Sequence, residues 1–289
     1  MRAFNYVAAG DIQQAVRLLA EHGSEAKILA GGTDLLADLK SSPHPPRMVI
    51  DISRTQGLGG IEVTDKGLRI GALVTHTEIM KSSVIQEHFP ALVDAAHTIG
   101  AVQTRNLGTL GGNLVTAVPS MDSGPTLMAL DAWVVLAGNS GNRQMPLTEF
   151  FKGPRRTALK PDELLMEIVI PAENIGKPVN FLKSGLRKGQ ALALVNAAGS
   201  LWLDAKGRIR EPRIALGAVA PTVIRAPNAE KCLAGQVPTP EIMVEAGKIA
   251  AEECKPITDF RASATYRKEI VEVLVKRVLM HAHAQALKK

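Results

Sequence analysis

Ile12, Ala15, Val16 and Leu19 recur three and four positions apart between Gly10-Asp11 and Gly23, which predicts an opening helix with a polar start and a glycine stop. The short apolar run at 26–30 predicts a strand that ends in Gly31-Gly32. Residues 33–40 then read as a helix capped by Thr33, and the proline-rich 42–46 breaks it. With a second strand at 48–52, the first fifty residues read as helix, strand, helix, strand over a small parallel or mixed sheet. Residues 60–71 alternate apolar and polar across Asp65-Lys66-Gly67, a hairpin pattern. Farther on, 91–99 is helical in spacing, 102–118 is glycine-rich and irregular, 123–129 reads as a short helix, and 133–137 and 164–171 as strands. A boundary is expected at 177–179; beyond it come β-patterned segments through residue 220 and two helices at about 240–253 and 262–286. No segment repeats.

Composition narrows the picture. A chain of 289 residues with 46% hydrophobic content can bury a sizeable core, as one large domain or two ordinary ones. Cys232 and Cys254 stand far apart with no metal-ligand spacing around them, so no zinc site or iron-sulfur cluster is expected on this chain. The start, Met1 to Tyr6, lacks the apolar core of a signal peptide and no later stretch is apolar enough to span a membrane, which reads as a soluble, cytoplasmic protein. Charge divides unevenly: 15 basic and 18 acidic residues up to position 175, 19 and 10 beyond it. The Lys and Arg residues are scattered and aromatics make up 3% of the chain, which argues against nucleic acid and for a solubilising face or a surface that docks an acidic partner.

Two glycine pairs carry the candidate chemistry. In Leu29-Ala30-Gly31-Gly32-Thr33-Asp34-Leu35 a strand delivers two glycines to a helix start, where exposed N–H groups and the absence of side chains suit a diphosphate. A tight turn with no ligand would look the same. Thr109-Leu110-Gly111-Gly112-Asn113-Leu114 lies in chain read as irregular, and again offers amides and a polar side chain to one ligand. Neither pair matches the G-x-G-x-x-G of a Rossmann turn or a P-loop, so a different dinucleotide fold is implied.

Ala30-Gly31-Gly32-Thr33-Asp34 paired with Thr109-Leu110-Gly111-Gly112-Asn113 resembles the flavin subunits of molybdenum hydroxylases, the xanthine dehydrogenase and aerobic carbon monoxide dehydrogenase family. The likeness continues through Gln103-Thr104-Arg105-Asn106, Pro119-Ser120-Met121-Asp122, Asp162-Glu163-Leu164-Leu165, Lys183, 190–198, 218–225 and Asp259-Phe260-Arg261-Ala262-Ser263-Ala264. It implies an α+β fold: a two-subdomain FAD-binding domain of the vanillyl-alcohol oxidase/PCMH type over 1–176, with subdomains at about 1–56 and 57–176, then a smaller α+β C-terminal domain of the CO dehydrogenase flavoprotein type over 177–289. By the same resemblance FAD is bound dissociably by Ile28, Leu29, Ala30, Gly31, Gly32, Thr33, Asp34 and Leu35 with Thr109, Leu110, Gly111, Gly112 and Asn113. Asp122 would hydrogen-bond the flavin, Leu165 would lie against the isoalloxazine, and Lys183 would place a positive charge near it. Ile99 falls where some relatives carry an aromatic ring. His76 could lie near the cofactor, although a histidine in such a turn is ordinarily solvated.

The resemblance further implies partners: a small subunit with 2Fe-2S clusters and a large subunit with the molybdenum cofactor, as a dimer of heterotrimers, the FAD passing electrons to an external acceptor. No catalytic acid or base is expected on this chain. Two other classes stand beside this reading: a stand-alone flavin oxidoreductase of the vanillyl-alcohol oxidase type, which would need its own base over the flavin, and a binding module that has lost FAD.

Overall fold

The computed structural model describes residues 3–289. Strand β1 (Asn5–Ala8) precedes the predicted opening helix, α1 (Ile12–His22). Helix α1 buries Ala15, Val16 and Leu19, the predicted stripe, and the Asp11 carboxylate caps it by accepting from the Gln14 amide at 2.7 Å. Strands β2 (Ala26–Leu29) and β3 (Met48–Asp51) flank α2 (Leu35–Ser41), and the three strands form a wholly parallel sheet in the order β1-β3-β2.

Next comes the predicted hairpin, β4 (Ile61–Thr64) and β5 (Gly67–Gly71). A helical stretch follows: α3 (His76–Lys81), α4 (Ser83–His88), α5 (Pro90–His97), α6 (Val102–Leu107), α7 (Leu110–Thr116) and α8 (Ser123–Ala129). Strands β6 (Trp133–Gly138) and β7 (Gly141–Pro146) lead through α9 (Leu147–Phe150) and a small hairpin, β8 (Phe151–Gly153) with β9 (Arg156–Thr157), to β10 (Leu164–Pro171). The second sheet is antiparallel in the order β4-β5-β10-β6-β7, with β10 at its centre.

Strands β11 (Val179–Gly185), β12 (Ala193–Leu203), β13 (Ile209–Gly217) and β14 (Ile224–Arg225) make an antiparallel meander, followed by α10 (Pro227–Leu233), α11 (Pro240–Glu253) and α12 (Ala264–Ala286). Strand β12 is buried on both faces. Val195, Ala197 and Leu201 share a core with Val275, Val278 and Leu279 of α12, while Asn196, Ala198 and Ser200 face the other way, toward α8. Every residue of α8 is buried. The Ala129 carbonyl accepts from Ser200 Oγ at 2.7 Å, the Leu130 carbonyl from Asn174 Nδ2 at 3.0 Å and the Met121 carbonyl from Asn196 Nδ2 at 2.9 Å, so the meander and the second sheet close around one helix.

Two sequence expectations give way. The stretch 102–118, read as irregular, holds α6 and α7, because Thr109 caps α7 by accepting from the Gly112 amide at 3.0 Å and Leu110 and Leu114 pack into the core. Thr33 does not cap α2: that position belongs to Asp34, whose side chain makes no cap bond but accepts from Thr116 Oγ1 at 3.3 Å.

Lys177, 1% exposed, enters the interior with no partner for its Nζ, and burial pushes its ammonium down to about 8. The nearby Asp131 already accepts from Arg213 at 2.9 Å and Arg225 at 2.8 Å. Lys177→Met should therefore stabilise the chain by about 1 to 3 kcal/mol, since an unpaired buried charge is replaced by an apolar side chain of similar length. Between the buried value and the ordinary 10.5 the unfolded chain binds more protons than the folded one, so wild-type stability rises with pH through that window. The gap between variant and wild type should thus narrow from pH 8 toward 10.5, as paired thermal melts would show.

Candidate functional site

A cavity of about 580 Å³ opens between the three-stranded sheet, α2, the α6–α7 corner and β10, within the range of about 300 to 1,000 Å³ typical of ligand sites. Both glycine pairs line it. The backbones touch: a Cβ on Gly31 would lie 1.7 Å from the Leu107 carbonyl oxygen and 3.1 Å from the Gly108 amide nitrogen. Gly32 has φ +73°, left-handed backbone that favours glycine. The amides of Gly31, Gly32, Thr33 and Asp34 find no acceptor among the described residues, so four neighbouring N–H groups lie at the cavity edge.

The second pair works differently from the expectation. Its amides are occupied: Leu110 donates to the Val74 carbonyl at 2.8 Å, Gly111 to Ala72 at 2.9 Å, Gly112 to Thr109 Oγ1 at 3.0 Å and Asn113 to the Thr109 carbonyl at 3.0 Å. Gly111 serves close packing, since a Cβ there would lie 2.7 Å from both Cβ and the carbonyl oxygen of Ala72. What this loop offers a ligand is clearance at Gly112 and the Asn113 side chain. Asn113 Oδ1 accepts from Ser123 Oγ at 2.6 Å, which leaves its NH₂ group as a free donor.

Ile28, Ala30, Leu35, Ile99, Thr109 and Leu165 also line the cavity. A register shift in β10 between Leu165 and Glu167 accompanies the exposure of two successive side chains, Leu164 and Leu165, to the same space. Ile99 is held through its backbone: Arg105 Nη1 donates to the carbonyls of His97 at 3.2 Å, Ile99 at 3.0 Å and Gly100 at 3.4 Å. Glu163, at the β10 end, is held well below the usual carboxylate range by its bidentate bonds to Arg143, at 2.7 and 2.8 Å.

Four of the residues singled out do not line the cavity. The Leu29 carbonyl accepts from the Ile52 amide at 2.9 Å, and Leu110 is fully buried in the core. Asp122 and Lys183 stand behind the Ile99 segment as a buried ion pair at 2.5 Å, with Lys183 Nζ also donating to the Thr98 carbonyl at 3.2 Å and Asn196 Nδ2 donating to Asp122 at 2.8 Å. Burial raises the Asp122 carboxyl above its ordinary value, against the lowering effect of Lys183. Asp122, at the start of α8, thus bonds Lys183 and Asn196 instead of capping the helix, and the Lys183 side chain is buried with it.

Sequence reasoning missed several wall residues. Gly108, whose Cβ would lie 2.9 Å from the Thr104 carbonyl oxygen, had a signal in its glycine; Leu192, just before β12, fell within the 190–198 likeness without being singled out. His76, expected in solvent unless near the cofactor, is 2% exposed and lines the cavity.

Paired backbone loops without side chains, four open amides and an apolar end wall define an α+β nucleotide-binding fold with room for a flavin. A family model described as the FAD binding domain in molybdopterin dehydrogenase matches residues 2–173, and the CO dehydrogenase flavoprotein C-terminal domain matches 180–282. The chain belongs to this family of FAD-binding dehydrogenase subunits. It is 34% identical to the carbon monoxide dehydrogenase medium chain of Hydrogenophaga pseudoflava, covering 98% of each chain, and 32% identical to the xanthine dehydrogenase FAD-binding subunit of Escherichia coli O157:H7, covering 98% of this chain and 97% of that one. A solved chain of the Hydrogenophaga pseudoflava carbon monoxide dehydrogenase superposes with a TM-score of 0.94 at 34% identity, over 98% of both chains. Among the described residues no helix is long and apolar enough to cross a membrane.

Proposed function

We propose that this chain holds FAD, dissociably, in the cavity between the two glycine loops and serves as the electron-transferring flavin subunit of a molybdenum-dependent hydroxylase. In that complex a small subunit with 2Fe-2S clusters would deliver electrons, a large subunit with the molybdenum cofactor would oxidise the substrate, and an external acceptor would receive them; a dimer of heterotrimers is the assembly we favour. The carrying observation is the row of unpaired amides at 31–34 facing a backbone contact between Gly31 and Leu107. Four such donors at a helix start suit the oxygens of a diphosphate in place of water, and Gly31 leaves no room for a side chain against Leu107. FAD, when bound, supplies the redox chemistry of the subunit.

The chain's own groups bind and orient. The amides of 31–34 and the Asn113 NH₂ would hold the diphosphate. Ile99, Leu165 and Leu192 give the far end an apolar wall that would exclude water from the ring, and Arg105 fixes the Ile99 backbone. Ile99 packs a ring face without aromatic stacking, so the flavin environment should differ from that of relatives with an aromatic residue there. We place the division between the FAD-binding and C-terminal domains at 176/177. Among the described residues the carboxylate beside Leu164 and Leu165, Glu163, is engaged by Arg143 and not set as a base for substrate, which favours the electron-transfer role over a stand-alone oxidase.

Purified wild-type chain should take up about one FAD. Gly112→Val should lose at least about tenfold in affinity while keeping its far-ultraviolet dichroism, because the only neighbour of the new Cβ is Thr109 Oγ1 at 2.8 Å and the added methyls would extend into the cavity. Wild-type flavin content in that variant would contradict the assignment.

A further inference from the structure

His76 sits where the two glycine loops meet, and no described residue hydrogen-bonds its ring. It is the first residue of α3, fixed there by a capping box: the Glu78 amide donates to Thr75 Oγ1 at 3.2 Å and the Thr75 amide donates to Glu78 Oε2 at 2.7 Å. The His76 amide donates to the Gly108 carbonyl at 3.1 Å. Gly108 lies close to both His76 and Thr33, since a Cβ built on it would lie 3.4 Å from His76 Cδ2 and 3.6 Å from Thr33 Oγ1. Only 2% of the residue is exposed, and that opening is the cavity. Nδ1 is shut off from solvent without a partner, and no described residue bonds the other ring nitrogen.

A buried imidazole nitrogen without a partner is uncommon, because its desolvation goes unrepaid. Burial, with Arg105 adding to it, lowers the ring to about 4, so His76 is neutral at physiological pH and carries one N–H donor. An approaching ligand could satisfy that donor with an acceptor atom placed at the seam of the loops, close to the open amides of 31–34.

We propose that His76 is a cofactor-binding residue whose neutral imidazole donates a hydrogen bond to the diphosphate of the bound nucleotide, completing the cradle begun by the amides of 31–34. This rests on the reading that the cavity holds FAD. The orphaned ring makes the empty protein less stable than it could be, so stability and affinity should respond to substitution with opposite signs. A residue kept for packing would move both the same way.

The test uses the full chain freed of flavin, with FAD binding followed by quenching of flavin fluorescence and ADP as a competitor. His76→Leu should bind FAD about 10- to 100-fold more weakly, the effect of losing one hydrogen bond to a charged acceptor, with ADP weakened by a similar factor. At saturating FAD the visible spectrum of the bound flavin should keep its wild-type shape, and the flavin-free variant should melt no lower than wild type. His76→Gln, which keeps an N–H donor, should recover at least half of the lost affinity on a logarithmic scale. Unchanged FAD affinity in His76→Leu, a loss confined to FAD with ADP unaffected, no recovery in His76→Gln, or a loss that tracks a lower melting temperature would each overturn the proposal. Failure of wild type to bind FAD at all would instead remove the reading of the cavity.

Discussion

A chain carrying Gly31→Ala should purify with little or no flavin and melt well below wild type, although the change adds a single methyl group. The new Cβ would be placed 1.7 Å from the Leu107 carbonyl oxygen and 2.5 Å from its carbon, and both are backbone atoms that cannot rotate away. Relief requires the loop after β2 to part from the α6–α7 corner, which opens the seam that the open amides face. Overpacking of this kind costs about 1 to 3 kcal/mol where side chains can adjust, and more where only backbone can move. Gly189→Ala is the matching control, since nothing lies within 4 Å of a Cβ there and the expected effect is nil. The ratio of flavin to protein absorbance, with thermal melts of both flavin-free proteins, decides the matter; wild-type flavin content in Gly31→Ala would mean that the loops are not in contact.

The second large effect lies in the ion pair behind the Ile99 segment. Removing Asp122 leaves the Lys183 ammonium buried with only the Thr98 carbonyl as acceptor, and leaves Asn196 with the Met121 carbonyl alone. Breaking a buried pair from one side costs about 3 to 5 kcal/mol, because the surviving charge is uncompensated. Asp122→Ala should thus destabilise the chain by roughly that amount, and adding Lys183→Met should restore most of the loss. A double variant no more stable than the single one would show that the pair is not what holds this region together. The pair also qualifies what the resemblance implied for Lys183: its positive charge is balanced within the protein by Asp122, so any influence it has at the flavin would come from a neutralised pair.

What was legible in the sequence was whatever depends on local spacing. The Ile12-to-Leu19 stripe, the 60–71 hairpin, central strand β10 and the helix at 240–253 all carry periodicity strong enough to survive tertiary context. Strand β7 has no such signal: Gly141–Pro146 is polar and largely exposed, an edge strand formed because β6 offers it a partner. Helix α7 defeats propensity outright, since two adjacent glycines disfavour a helix by about 1 kcal/mol each. Here the fold needs those glycines, because Gly111 lets the helix touch Ala72. In the site, the glycine pairs were visible as chemistry, while Leu165 and Ile99 were visible only through resemblance. The pairing of the amides was not visible at all: that the first loop keeps its N–H groups free and the second bonds Val74, Ala72 and Thr109 depends on residues 72–75, just past β5, lying alongside. His76 belongs to the same class, its burial decided by Gly108, 32 positions away.

Helix α8, enclosed on every side, has a mechanical consequence. Two halves of a chain that share a core element cannot swing about the short link between them, because any opening would strip water-free surface from Ser123 to Ala129 and break the bonds from Ser200 and Asn196. Leu192, just ahead of the C-terminal meander, lines the cavity with 59% of its surface exposed. Severing the chain near residue 176 would yield fragments that stay together until both unfold.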